Sequence, residues 1–144
     1  MPTKKRVLFL CTHNSARSQM AEGLLRQLAG DHFEVFSAGT EATRVHPLAI
    51  EAMRELDIDI SGHTSKTLDA FHGQQFDYVI TVCDAANESC PIFSGNAERV
   101  HWSFDDPSAA TGSGEEKLQV FRRVGGEIAA KLRAFEAFTS RSGV

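Results

Sequence analysis

Eight consecutive residues, Cys11-Thr12-His13-Asn14-Ser15-Ala16-Arg17-Ser18, bring a thiol, small polar side chains and an arginine into one short loop. A cysteine and an arginine separated by five residues can wrap a tetrahedral oxyanion. The backbone N–H groups of such a loop point inward, and a helix that follows adds its positive dipole end. Arg17 can grip two anion oxygens as a fork. The same field favours Cys11 as a thiolate, the nucleophilic form. The octapeptide therefore predicts a phosphate-shaped ligand and a reaction that begins with sulfur attack. Ser18 can donate a hydrogen bond to the Cys11 sulfur, cap the helix, or do both. Asn14 can hold the loop through backbone contacts, and His13 shapes the rim.

Two further cysteines lie far along the chain. Cys83 follows an apolar run, and Cys90 comes seven residues later, directly before Pro91. A zinc site wants closely spaced pairs or added histidines, and neither is present. Two inert core cysteines are one reading, but the segment between them, Asp84-Ala85-Ala86-Asn87-Glu88-Ser89, is too small and polar for a core. In a regular helix the two thiols would lie too far apart to bond, because a disulfide needs Cα atoms within about 7 Å. A Cys83–Cys90 bond thus requires the segment to unwind. Asp105-Asp106-Pro107 offers an acid that could protonate a leaving oxygen, or a simple turn or helix cap. The six histidines show no metal-like pairing, and no metal site is expected.

These residues need a scaffold, and the hydrophobic pattern supplies one. Val7–Leu10, Phe33–Phe36, Phe76–Val82 and Arg99–Trp102 read as strands. Between and after them, Met20, Leu24, Leu25 and Leu28 form one helical stripe ended by Gly30. Ala49, Met53 and Leu56 form another, with Pro47 in its first turn. Leu118 to Phe135 makes a long last helix, with Gly125-Gly126 as its weak point. Strands separated by helices predict an α/β three-layer sandwich, with a four-stranded parallel sheet and helices on both faces. Ligands bind beyond the carboxyl ends of such strands, where Cys11, Ser37 and Cys83 can meet.

Bulk composition fits that reading. The 144 residues, 42% hydrophobic and 24% charged, suit one domain over 1–144 with a real core. A net charge of −4 argues against nucleic-acid binding and means that an anion site must be built locally. Three cysteines do not make a disulfide framework. Lys4-Lys5-Arg6 precedes an apolar run of only four residues, too short for a signal, and no run is long enough for a membrane span. A cytoplasmic monomer with reduced thiols is expected.

Together these motifs resemble the thioredoxin-coupled arsenate reductases, which share the low-molecular-weight protein tyrosine phosphatase fold. The resemblance covers nearly the whole chain. It rests on Cys11 to Ser18, Ser37-Ala38-Gly39, Val82-Cys83 with Cys90-Pro91, and His101-Trp102 with Asp105-Asp106-Pro107. It implies that Cys11 attacks arsenate held by the loop and Arg17, with Asp106 as proton donor. Cys83 then attacks Cys11 and expels arsenite, and Cys90 attacks Cys83. The resulting Cys83–Cys90 disulfide would be reduced by thioredoxin, or by glutaredoxin with glutathione, in arsenic detoxification. No bound cofactor is implied.

The alternative is a phosphatase using Cys11, Arg17 and Asp106 alone. Against it, Ser108-Ala109-Ala110 replaces the aromatic residues that commonly follow the Asp-Pro pair, and Ala16 stands where such phosphatases commonly carry a second cysteine. A non-catalytic oxyanion sensor is a third reading. In some relatives a potassium ion is held by residues matching Asn14, Glu22 and Ser37 plus an aspartate. Lys66 stands at that last position here, so little potassium dependence is expected.

Overall fold

A computed structural model describes residues 4–71, 73–82 and 97–142. Four strands, β1 (Lys5–Cys11), β2 (Phe33–Gly39), β3 (Tyr78–Thr81) and β4 (Glu98–His101), form a parallel sheet in the order β2-β1-β3-β4. β1 lies between two neighbours, which is why Val7 to Cys11 are buried without interruption. β2 runs three residues further than its apolar core suggests. Its register pairs Phe9 with Ser37 and Cys11 with Gly39, so the small polar end of β2 lies beside the nucleophile candidate.

Three helices, α1 (Arg17–Ala29), α2 (Pro47–Arg54) and α3 (Gly114–Ser142), pack against one another. α1 also lies on β1 and β2, while Phe135 of α3 meets Phe33, Tyr78 and Trp102. The opposite face of β2 carries Phe36, which packs on Phe71 of a 3₁₀ turn (Leu68–Phe71) and on Phe76. The Arg6 guanidinium sits 4.8 Å from the centres of both Phe36 and Phe76.

Two expectations about the helices need correction. Leu56 is 53% exposed because α2 stops at Arg54. Asp57 takes a left-handed conformation (φ 62°), and the N–H groups of Asp57 and Ile58 return to Arg54 O and Met53 O. This Schellman end turns the chain so that Ile58 and Ile60 are buried in place of Leu56. Leu28 is 43% exposed and lines a surface groove with Leu24, Ile58, Ala129 and Leu132. α3 runs through Gly125 and Gly126 without a break. A Cβ at Gly125 would come 3.2 Å from Met53 Cε, so the missing side chain lets α2 approach closely.

Candidate active site

The loop after Cys11 is tied down from outside. Thr12 O accepts from Glu41 N at 2.9 Å, and His13 O accepts from Ser65 Oγ at 2.9 Å. Asn14 O accepts from Gln19 Nε2 at 3.1 Å, and Ser15 O from His46 N at 2.9 Å. Every described peptide is trans, so outward carbonyls turn the following N–H groups inward. Gly39 permits this crowding. A Cβ there would stand 2.7 Å from both Asn14 N and Thr12 O. The cup so formed is lined by Cys11, His13, Ser15, Ala16, Arg17, Asp106 and Ser108. α1 begins at its edge without a side-chain cap, so its first-turn N–H groups remain available to an anion.

Cys11 is buried at the end of β1, with Sγ 2.8 Å from Ser18 Oγ. Asn14 Nδ2 donates to Ser18 Oγ at 2.9 Å, which leaves the hydroxyl hydrogen for the sulfur. Ser18 is therefore a sulfur partner inside α1 and not its cap. Asn14 acts mostly through its side chain. Nδ2 also donates to Ser37 Oγ at 3.0 Å, and Oδ1 accepts from Gln19 Nε2 and from Lys66 N, both at 2.9 Å. Its backbone is left-handed (φ 49°), a conformation that asparagine tolerates better than most residues. Ser37 in turn donates to Glu22 Oε1 at 2.5 Å.

Arg17 NH1 donates to Phe104 O at 3.0 Å, and NH2 lies 3.7 Å from Asp106 Oδ2. Asp106 Oδ1 accepts from Ser108 N at 3.0 Å and Ser108 Oγ at 2.6 Å. Burial pushes the Asp106 carboxyl up. The Ser108 hydroxyl, then Arg17, the Ser108 N–H and His13 outweigh burial and hold it below the ordinary carboxylate range. Asp105 points elsewhere, pairing with Arg123 at 3.1 Å. His13 is at the rim, 3.2 Å from Glu41. The structure thus brings together Cys11, the loop through Ser18, Ser37 and Asp106. Cys83 and Cys90 lie outside the described residues. The preceding residue, Val82, is buried and donates to Leu10 O at 2.8 Å.

A family model described as low molecular weight phosphotyrosine protein phosphatase matches residues 6–142. The chain belongs to that family. Within it, an arsenate reductase of Halalkalibacterium halodurans is 52% identical over 132 residues, 92% of this chain and 95% of the relative. A solved arsenate reductase in the intermediate state matches with a TM-score of 0.76 and 37% identity, covering 92% of this chain and 97% of that one. A thioredoxin-dependent arsenate reductase from Corynebacterium glutamicum matches with a TM-score of 0.73 and 29% identity. That match covers 98% of this chain and 64% of the other.

The potassium set expected for some members of this family does not fit here. Asn14 Oδ1 is already taken by two donors, and Glu22 Oε2 accepts from Arg26 at 2.7 Å. Thr64 O accepts from Lys66 Nζ at 2.9 Å and Gln19 Nε2 at 3.0 Å. Cationic side chains, Arg26 on Glu22 and Lys66 on Thr64 O, thus meet oxygens that would otherwise be open to a monovalent ion. Melting temperature in potassium chloride should match that in sodium chloride at equal ionic strength. A selective rise with potassium would contradict this.

Sequence reasoning missed Gln19, His63, Arg26 and Phe104. Gln19 is fully buried and also meets His63 Nδ1 at 3.0 Å, while His63 Nε2 lies 3.1 Å from Arg26 NH1. A polar residue within the buried stripe of α1 was the available signal. Phe104 acts through its carbonyl and leaves none.

His46 caps α2, its Nδ1 accepting from Leu48 N at 3.1 Å. Burial, then Arg44, hold its imidazole below the ordinary histidine value. Lys117 acts in the same direction, and Asp106 opposes. His63 is lowered by burial against the pull of Glu22. A lowered folded value means that the unfolded chain takes up the proton first as pH falls. Stability should therefore be complete near neutrality and decline as pH drops from about 7.5 to about 5.5. Thermal melts at both pH values check this. The decline should shrink in His46→Asn, which retains a capping oxygen but cannot titrate.

Proposed function

We propose that this protein reduces arsenate to arsenite and is regenerated by thioredoxin. The observation that carries this reading is the 52% identity to an arsenate reductase over 92% of the chain, laid over an anion cup with a buried thiol at its base. In the first step, arsenate enters against the loop N–H groups and the Arg17 fork. Cys11 attacks arsenic as a thiolate while an arsenic–oxygen bond breaks, and Asp106 supplies the proton to the departing oxygen. Ser18 stabilises the Cys11 thiolate by its hydrogen bond, and Asn14 holds Ser18 in place.

In the second step, Cys83 thiolate attacks Cys11 Sγ. The sulfur–arsenic bond breaks with its electron pair going to arsenic, which leaves as arsenite, and two thiols become a Cys11–Cys83 disulfide. Cys90 then attacks Cys83, releasing Cys11 thiolate. The remaining Cys83–Cys90 disulfide is reduced by an external dithiol. Thioredoxin is favoured over glutaredoxin with glutathione because the Corynebacterium relative is thioredoxin-dependent. Val82 supports the relay, since its bond to Leu10 brings the chain beside the end of β1 one residue before Cys83.

A phosphatase would need the cup, Arg17 and Asp106, but neither distal cysteine. The deciding experiment measures arsenate turnover with thioredoxin and its reductase for the parent, Cys83→Ser and Cys90→Ser. Both variants should lose sustained turnover, and Cys90→Ser should accumulate a Cys11–Cys83 disulfide detectable by mass spectrometry. Full turnover by both variants would sink the relay. A sensor would bind the anion and release no arsenite.

A further inference from the structure

The geometry points to Ser108 as a positioning residue that assigns the acid proton of Asp106 to Oδ2, the oxygen facing Arg17. This rests on the arsenate reductase reading above. The two Asp106 oxygens are not equivalent. Oδ1 receives both donors of Ser108, the N–H at 3.0 Å and the hydroxyl at 2.6 Å. An oxygen that already accepts two hydrogen bonds is a poor place for a proton. Oδ2 lies 3.7 Å from Arg17 NH2, beyond hydrogen-bond reach. It is therefore the oxygen that can carry a proton, and it stands beside the guanidinium that grips the anion. Ser108 itself lines the cup. Its hydroxyl fixes the carboxyl rotation, so that Oδ2 and not Oδ1 meets the leaving oxygen.

Among the described residues, other charges around Asp106 come from α1, the loop, α2 and α3. Arg17 of α1 and His13 of the loop both favour the carboxylate, while Cys11 lies across the cup. His46 at the start of α2 interacts with Asp106, and Lys117 of α3 acts on His46. Arg123 of α3 is engaged by the neighbouring Asp105. Removing the Ser108 hydroxyl leaves all of these in place. It withdraws one donor from the carboxylate form, so the protonated acid should persist to higher pH. It also frees the carboxyl to rotate, which should slow proton delivery.

The test is single-turnover arsenate reduction from pH 3 to 9, a range that reaches the lowered Asp106 carboxyl, with no external reductant, for the parent, Ser108→Ala and Ser108→Thr. The protein's own thiols supply the two electrons. Ser108→Ala should be about five- to tenfold slower, with the alkaline limb displaced upward by about half a pH unit or more. Ser108→Thr should restore both. A slower Ser108→Ala with an unmoved pH profile would show only a structural role and overturn the proposal, as would unchanged kinetics. Absence of arsenate reduction by the parent would overturn the functional reading, and this proposal with it.

Discussion

Replacing Arg17 with lysine should lower kcat/KM for arsenate by about two to three orders of magnitude. Arg17 is only 13% exposed in its side chain and is aimed by its bond to the Phe104 carbonyl. That bond occupies NH1 and leaves the rest of the planar fork to face the cup. A lysine retains the charge but offers a point donor on a flexible stem, without two parallel bonds to one anion. It would also lose the simultaneous reach to Phe104 and to the neighbourhood of Asp106. The loss should appear in kcat as well as KM, because charge builds on the departing oxygen as sulfur attacks. Steady-state kinetics with saturating thioredoxin separate the two. A loss below about fivefold would mean that the loop N–H groups hold the anion without the fork.

Asn14→Ala should destabilise the protein by about 3 kcal/mol and remove most of its activity. Asn14 is fully buried, and its amide makes four side-chain hydrogen bonds, to Ser18, Ser37, Gln19 and the Lys66 backbone. Truncation leaves the Lys66 N–H without this acceptor and the Ser18 hydroxyl without its orienting donor. Alanine also tolerates the left-handed backbone less well, at a cost of about 1 kcal/mol. Urea unfolding monitored by circular dichroism measures the first effect. The second should exceed that of Ser18→Ala, because Asn14 holds both the loop and the serine. A variant of parental stability would mean that water replaces the amide without penalty.

The parts of this molecule that were legible in sequence are those governed by local pattern. β1 reads as a buried strand because its apolar residues are continuous, and α1 reads as a helix because Met20, Leu24, Leu25 and Leu28 recur at helical spacing, although it begins at Arg17, inside the motif read as a loop. The α2 terminus was not legible, since Asp57 and not glycine takes the left-handed turn that buries Ile58. The loop motif named Cys11, Arg17 and Ser18 as neighbours because eight consecutive residues suffice to close the cup. The buried links beyond it span 23 to 52 residues, as in Asn14 with Ser37 and with Lys66, and no local pattern encodes them. Ser108 was visible only as a missing aromatic ring. Its two bonds to Asp106 depend on the turn that Pro107 begins, which composition alone does not reveal.

The outward carbonyls of the loop have a consequence for selectivity. Glu41, Ser65, Gln19 and His46 fasten the loop through bonds made within the protein itself, so its ordering comes from folding. Capture then resembles a key entering a finished lock. Such a receptor weighs size and charge, and tetrahedral anions alike in both are admitted nearly equally. The decision between phosphate and arsenate falls after entry, at the one event they do not share: only arsenic can accept the electron pair that sulfur leaves behind.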